Sequence, residues 1–316
     1  MSRFTHASIV RSVIDIPGDL AEAQETYNGA AGRAFIAGLP DLAAAFLDRW
    51  RLRLDGPCMN GVSALVLPVV RADGGRAVLE LQLPDEESAG EPVALRVWDG
   101  DGAVRLLDHD PATGPVRLLD HDPATGTMLP ERLDESRMLS AVADTREAVV
   151  VVARLLNRLT SFPAPPGMRR LGDIAEAMLE QTPWALERIP DLRARRIVAD
   201  CAAAVREVVA EPGDRLLHWD LHFENVLAAD RAEWLAIDPK PLAGDPGFEL
   251  WPALDNRFEA AEVRRRFDAM TEVLGLDRER ARAWTLGRLL QNALWDVEDG
   301  RPVEERQLEI ARRLTG

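Results

Sequence analysis

An aspartate five residues ahead of an asparagine, with a second aspartate thirteen residues further on, is a spacing that can bring a hydroxyl, a metal ion and a phosphate together. Here the three are Asp220, Asn225 and Asp238. The first two lie in the polar run His218-Trp219-Asp220-Leu221-His222-Phe223-Glu224-Asn225, and the third ends the apolar stretch Trp234-Leu235-Ala236-Ile237. Phosphoryl transfer needs positioning, a proton acceptor and charge neutralisation, and little covalent help from a protein. Asp220 in a rigid loop would accept a hydroxyl proton. The Asn225 carbonyl oxygen and the Asp238 carboxylate would bind Mg²⁺, a hard cation that prefers oxygen ligands. His218 and His222, four apart, also admit a transition-metal site, but that spacing puts both on one face only in a helix. The apolar continuation Val226-Leu227 reads as a strand, and an aspartate follows where kinase chemistry requires one.

The elements that must hold these residues follow from hydrophobic periodicity. The first fifty residues read as helical around Asp19–Glu25 and Asp41–Trp50, with a helix start at Pro40 and Asp41. Trp50–Leu54, Ala64–Val70 and Ala77–Leu83 then read as strands, joined by the glycine-containing loop Gly56–Ser63 and an Asp-Gly-Gly turn. Glu91–Trp98 is a short helix and Ala103–Leu107 a further strand. Thr145–Leu159, Ile174–Gln181, Asp191–Val209, Ala260–Val273, Arg278–Asp296 and Val303–Leu314 are helical. Short strands at Val226–Ala228 and Trp234–Ile237 flank the polar run. The plan is α+β and bilobal: residues 1–127 a sheet-containing N-terminal lobe with a nucleotide clamp, 128–135 a hinge, and 136–316 a helical lobe carrying the catalytic loop and substrate site.

An internal repeat interrupts the N-terminal part. VRLLDHDPATG occurs at Val104–Gly114 and again, twelve residues later, at Val116–Gly126. Identity over the whole unit points to a recent duplication, since a solenoid would show at least three diverged copies.

Composition narrows the function classes. A net charge of −15 over 316 residues argues against nucleic acid, whose phosphates demand a basic surface, and suits a cationic small molecule. The longest candidate for a membrane span, the run Ala148–Ala153, is far short of the roughly 20 residues such a span needs. No secretory signal is evident at the N-terminus, so a cytoplasmic protein is expected. Cys58 and Cys201 are too few for a disulfide framework. Nothing implies an obligate protein partner.

The stretch LLHWDLHFENVLAADRAEWLAIDPKPLAGDPGFELWPAL resembles the catalytic core of the aminoglycoside phosphotransferase family, in particular its streptomycin 6-phosphotransferase and hydroxyurea phosphotransferase branch. The resemblance continues through VALRVWDGDGAVRLLDHD, MLPERLD and WTLGRLLQNALWDVEDG, from about Trp50 onward. It implies a protein-kinase-like fold, ATP as phosphate donor, Mg²⁺, and a hydroxyl-bearing antibiotic as acceptor. Carried over, Asp220 is the base, Asn225 and Asp238 are the metal ligands, and His218, His222 and Asp245 brace the loop. Trp219 stands where many relatives have glycine, and local repacking is expected there. Gly56, Asn60, Gly61 and Ser63 would cover phosphates with backbone N–H groups. Glu131 and Leu133 in the hinge would meet adenine, because Pro130 has no N–H to give.

One departure weighs against efficient catalysis. Kinase-like enzymes pair a third-strand lysine with a helix glutamate to grip the phosphates. Glu91 is the helix glutamate, but the lysine's place in AVLELQL falls on Glu80, or on Gln82 by strand parity, and Lys240 is the chain's only lysine. Two readings stand: an active antibiotic kinase, or a catalytically impaired binder of nucleotide or drug. A third, a kinase for another small metabolite, shares the chemistry. For the acceptor, Trp295, Asp296, Glu298 and Asp299 form an acidic–aromatic cluster suited to a cationic aminocyclitol, which favours a streptomycin-like acceptor over neutral hydroxyurea.

Overall fold

Helix α1 (Gly18–Arg49) opens the computed structural model, which describes residues 14–61, 63–107, 121–122 and 126–316. Its buried Leu39, Ala43, Phe46 and Leu47 share one core with Leu65, Leu67, Leu79 and Leu81 of a sheet. The helix start expected at Pro40 is not there; the helix runs through Pro40, and the break falls at Gly29, with φ 53° and ψ −122°, a conformation that glycine reaches without a Cβ penalty. By length and composition alone α1 would also pass for a membrane span. A search for unbroken apolar runs overlooks it because its apolar residues are dispersed among small and polar ones.

The sheet is antiparallel: β1 (Arg53–Leu54), β2 (Met59–Asn60), β3 (Ala64–Val70), β4 (Arg76–Gln82), β5 (His121–Asp122) and β6 (Thr127–Met128), in the order β1-β3-β4-β6-β5 with β2 also on β3. Alternation along β4 sends Leu79 and Leu81 into the core shared with α1, and therefore Glu80 and Gln82 to the opposite face. β2 lies inside the expected loop Gly56–Ser63 and pairs with β3, and just beyond it Gly61 N–H donates to the Ala64 carbonyl (3.0 Å). Ala103–Leu107 is not a full strand and forms only isolated bridges, Ala103 to Ala236 and Leu106 to Pro130. Of the two copies of the repeat, only residues 104–107 of the first and residues 121–122 and 126 of the second are described.

The chain forms two compact units, one of the described residues up to Pro92 with Val104–Arg132, the other of Val93–Ala103 with Leu133–Gly316. Most of helix α2 (Glu91–Trp98) thus belongs with the helical unit, not with the sheet. The cause is local: Trp98 is buried and donates to the Leu159 carbonyl (3.0 Å), while the Gly102 carbonyl accepts from Ala236 N–H (2.9 Å).

The second unit continues with β7 (Asp134–Met138), which occupies the expected hinge end and pairs with β9. Helices α3 (Thr145–Leu159), α4 (Leu171–Arg188) and α5 (Leu192–Val208) follow. Asp144 and Asp191 cap the first and third of these through backbone N–H groups of their first turns. Four short strands carry the polar run: β8 (Arg215–Leu217), β9 (Val226–Ala228), β10 (Leu235–Ala236) and β11 (Leu242–Gly244), paired as β10-β9-β7 and β11-β8. Helices α6 (Trp251–Asp255), α7 (Val263–Leu274), α8 (Arg278–Glu298) and α9 (Glu305–Thr315) complete it. α8 is buried along most of its length, as expected of a helix at the centre of a helical unit.

Candidate active site

Two hairpins fix the ends of the polar loop. β8 enters it while paired with β11 (Leu217 opposite Leu242), and β9 leaves it while paired with β10 (Val226 opposite Ala236). Backbone bonds then tie the loop to the segment after β10: Ile237 N–H to the Asn225 carbonyl and Lys240 N–H to the His218 carbonyl, each 2.9 Å. The spacing read from the sequence therefore becomes a closed frame that brings Asn225 and Asp238 onto neighbouring segments.

His218 is fully buried, and both its ring nitrogens are engaged. Nε2 lies 3.0 Å from the Ile237 carbonyl, and Nδ1 accepts the Asp220 N–H at 3.3 Å. Those partners define a neutral ring with its proton on Nε2. Burial pushes its pKa down to about 4, against a smaller upward pull from Asp220. The ring also stacks on Trp98 at 6.2 Å. His218 thus braces the loop and orients the Asp220 backbone. His222 is more exposed; its Nδ1 meets Glu224 at 2.9 Å and its Nε2 lies 3.8 Å from Asp220 Oδ2. Glu224 is exposed, and its carboxylate meets His222 and is reached by Asn256.

Asn225 donates its side-chain N–H to the Asp220 carbonyl (2.9 Å), which leaves its amide oxygen as the atom suited to a cation. Asp238 takes φ 55°, in the left-handed region, and pairs with Lys240 Nζ. An amide oxygen plus one carboxylate is a donor set that fits Mg²⁺, which commonly takes one or two protein ligands and completes its shell with water and phosphate oxygens. Lys240 supplies the charge that neutralises Asp238 without metal.

The residue between His218 and Asp220 shows what sequence reasoning missed. Trp219 has φ 68°, a backbone state that bulky side chains rarely adopt. It is held there by Glu249, fully buried, whose carboxylate accepts the Trp219 N–H at 2.8 and 3.1 Å. Burial raises the Glu249 pKa to about 7, while the Trp219 and His218 N–H groups and Arg288 pull it back. The Arg169 and Arg288 guanidinium groups lie 4.5 and 5.0 Å from the centre of the Trp219 ring. Arg288 also sits over Trp251, Trp295 and Phe248 at 5.7, 5.5 and 5.9 Å. The only sequence signal for this cluster was a glutamate and an arginine inside otherwise apolar stretches.

Asp245 does not touch the catalytic loop. It caps the turn Pro246–Glu249 through Gly247 N–H (2.8 Å) and pairs with Arg280 of α8 (2.6 Å), so its bracing reaches Trp219 only by holding the turn that presents Glu249.

Of the expected acceptor cluster, Trp295 is exposed and lies 6.4 Å from Trp219. Asp296 is misread: it is buried, pairs with Arg301 (3.1 Å) and accepts the Glu304 N–H (3.2 Å) ahead of α9. Asp299 also pairs with Arg301 (2.8 Å), while Glu298 is exposed. Two of the three carboxylates are thus engaged with one arginine.

In the sheet-containing unit, Gln82 Nε2 donates to the Glu91 carboxylate at 3.1 Å, both groups buried. Gln82 is therefore a strand partner of the helix glutamate. Ser63 gives its carbonyl to Gln24 of α1 (2.8 Å), and Asn60 donates its side-chain N–H to the Gly61 carbonyl (3.1 Å). Gly56 takes φ 156° and Gly61 has open space where a Cβ would stand. The Glu131 N–H, expected to meet adenine, is bonded within the sheet to the Arg105 carbonyl (2.9 Å), so that donor is engaged; Leu133 falls in the other unit.

Comparison with known proteins places these features. Residues 49–300 match the family model described as aminoglycoside/hydroxyurea antibiotic resistance kinase. A hydroxyurea phosphotransferase of Kitasatospora aureofaciens is 60% identical over 310 residues, covering 97% of this chain and 88% of that protein. A streptomycin 6-kinase of Streptomyces glaucescens is 54% identical over 313 residues, covering 96% and 98%. Among solved structures, an aminoglycoside phosphotransferase in ternary complex with AMP-PNP and hygromycin B superposes with a TM-score of 0.55 at 16% identity, over 84% of this chain and 94% of that one. That last likeness shows the fold, the bilobal protein-kinase-like plan expected from the sequence.

Proposed function

The chain belongs to the aminoglycoside/hydroxyurea antibiotic resistance kinase family, and we propose that it transfers the γ-phosphoryl group of ATP to a hydroxyl of a small antibiotic, with Asp220 as the base. Such transfer in a resistance kinase modifies the drug inside the cytoplasm, where ATP is available. What supports the assignment of the base is how Asp220 is held. Its N–H is bound by His218, its carbonyl by Asn225, and its side chain remains partly exposed beside His222. A carboxylate fixed at both backbone ends is positioned to accept a proton from a hydroxyl.

Asn225 and Asp238 would hold Mg²⁺. When bound, that ion neutralises charge on the transferring phosphate. Neutral His218 keeps its proton on the side facing Ile237 and so fixes the peptide that carries Asp220. In the sheet-containing unit, the Gln82–Glu91 hydrogen bond stands where a lysine would otherwise pair with Glu91. Glutamine offers a neutral donor in place of a cation, which supports a weaker grip on phosphate.

For the acceptor, a streptomycin-like aminocyclitol and hydroxyurea both remain within the family. The engagement of Asp296 and Asp299 by Arg301 weakens the case for a cationic acceptor, and favours hydroxyurea as the second reading. The test is direct: purified protein with ATP and Mg²⁺, assayed for ADP release and for a phosphorylated product by mass, with each acceptor in turn, beside Asp220→Asn. ATP-dependent product from wild type and its loss in the variant supports the reading. ADP release equal in both proteins, with no phosphorylated acceptor, overturns it.

A further inference from the structure

The short helical turn that carries Asn225 has its first N–H bonded from outside its own loop. The turn runs Phe223–Asn225 and closes with Asn225 N–H on the His222 carbonyl (3.0 Å). The side chain at its start, His222, does not cap it; its Nδ1 meets Glu224 instead. The N–H of the buried Phe223 therefore needs an acceptor from elsewhere. Asn256 supplies it from 33 residues further along the chain, its Oδ1 taking the Phe223 N–H at 2.7 Å. Asn256 Nδ2 reaches the Glu224 carboxylate at 3.4 Å.

Asn256 is itself held at both backbone ends. It follows α6, where its N–H donates to the Pro252 carbonyl (2.9 Å) and its carbonyl accepts from Arg266 of α7 (2.7 Å). Arg266 is 3% exposed and also donates to the Arg257 carbonyl (2.9 Å). Arg257 takes φ 46°, a backbone state that residues with a Cβ seldom adopt. Its guanidinium donates to the Ser140 and Val142 carbonyls and lies 5.9 Å from the centre of the Phe223 ring. A left-handed residue and a buried guanidinium each oppose stability, and both fix this one corner.

We infer that Asn256 is a positioning residue for Asn225: as a cap supplied from the corner after α6, it fixes the turn whose last residue carries the amide oxygen suited to Mg²⁺. The inference rests on the reading above that Asn225 and Asp238 hold the metal. The Asn225 side chain donates its N–H to the Asp220 carbonyl (2.9 Å), and its backbone carbonyl accepts the Ile237 N–H (2.9 Å). Those bonds set the exit of the turn, and Asn256 sets its entry. Without Asn256 the entry depends on a single tight-turn bond, whose geometry is poorer than that of an α-helix. Groups that orient a metal ligand without touching the ion change affinity by about 10- to 100-fold when removed.

The test reads metal binding and backbone protection, not turnover. Binding of Mn²⁺, as a probe of the Mg²⁺ site, would be titrated in the presence of AMP-PNP for wild type, Asn225→Ala, Asn256→Ala, the double variant Asn256→Asp/Glu224→Gln and Arg306→Gln. The last loosens α6 at the neighbouring Asp255, which Arg306 pairs at 2.9 Å, and leaves Asn256 in place. Asn256→Ala should weaken Mn²⁺ by about tenfold or more, while the double variant, which keeps an acceptor for Phe223 and removes the like charge, should return to within about threefold of wild type. Arg306→Gln should lower the unfolding midpoint and leave Mn²⁺ binding unchanged. If Asn256→Ala fails to fold, Asn256→Ser takes its place, with a hydroxyl too short to reach Phe223. Site-resolved amide exchange of the wild type adds a measurement that needs no variant: Phe223 N–H should be protected, and exchange at the rate of an unstructured amide overturns the inference. Unchanged Mn²⁺ binding in Asn256→Ala beside a loss in Asn225→Ala overturns it while the metal reading stands. Equal weakening in Arg306→Gln and Asn256→Ala also overturns it, because general loosening then accounts for the effect. Should Asn225→Ala bind Mn²⁺ as wild type does, the metal reading itself fails and the inference falls with it.

Discussion

Both carboxylate oxygens of Glu249 accept the backbone N–H of Trp219, at 2.8 and 3.1 Å, across thirty residues of chain. The peptide that carries the proposed base is therefore set from outside its own loop, by an acid with no exposed surface. Replacing Glu249 by alanine would leave a buried N–H without its acceptor, at about 1–3 kcal/mol. It would also free Trp219 from its left-handed state. We expect Glu249→Ala to lower kcat more than it raises KM for ATP, and Glu249→Gln, which keeps an acceptor oxygen, to recover part of the loss. Equal kcat in the alanine variant and wild type would show that the clamp does not position Asp220.

Glu249 and His218 also imply opposing pH dependences of stability. Burial raises Glu249 from 4.5 to about 7, so between those values the folded state binds a proton that the unfolded state has lost, and stability falls as pH rises, by at most about 1.4 kcal/mol per unit. His218 is lowered from 6.5 to about 4. There the unfolded state binds the extra proton, and stability rises with pH across that window. In wild type the two slopes oppose each other where the windows overlap. Urea unfolding of Glu249→Gln at pH 5, 6 and 7 should show the variant gaining stability relative to wild type as pH increases. Parallel curves for the two proteins would contradict the shift.

Asp220→Asn removes the proton acceptor while keeping shape and hydrogen-bonding size. Its kcat should fall by about 10²- to 10⁴-fold with each acceptor, and its thermal unfolding midpoint should barely move, because the Asp220 side chain is partly exposed.

The Lys240–Asp238 ion pair places a cation where Mg²⁺ would bind, so the two should compete. Lys240→Ala should lower the Mg²⁺ concentration giving half-maximal rate, and chelation with EDTA should abolish activity in both proteins. An unchanged Mg²⁺ dependence in the variant would mean that Asp238 is not a metal ligand.

The Gln82–Glu91 hydrogen bond predicts which substitution restores a phosphate grip. Gln82→Lys should lower KM for ATP by about tenfold, since it builds a charge-assisted pair with Glu91. Glu80→Lys should have a smaller effect, lying two residues back on the same strand face. The reverse order of the two would return the lysine's role to position 80.

What could be read in advance divides along sequence distance. Asp220, Asn225 and Asp238 stood out because their partners lie within twenty residues and the apolar runs between them form two-strand hairpins. The helices Thr145–Leu159 and Arg278–Glu298 were legible from their period, and the strand Val226–Ala228 from its context. Glu249, Arg169 and Arg288 were not, because each acts on Trp219 from another element and nothing local marks an arginine as stacked. Asp296 was misassigned for a related reason. An acid beside an exposed tryptophan looks like a substrate contact until the chain eight residues on turns back and uses it to start a helix. Glu80 and Gln82 share a strand face, so only the placement of Glu91 chooses between them. The helix break went to Pro40 on propensity, whereas Gly29 takes the one conformation in α1 that is not helical.

The left-handed backbone at position 219 has an evolutionary corollary. Tryptophan has a single codon, and one base change in it encodes glycine, the residue for which that backbone state is least demanding. A gene for this protein therefore sits one point mutation from a chain whose loop beside Asp220 is freed of that backbone strain.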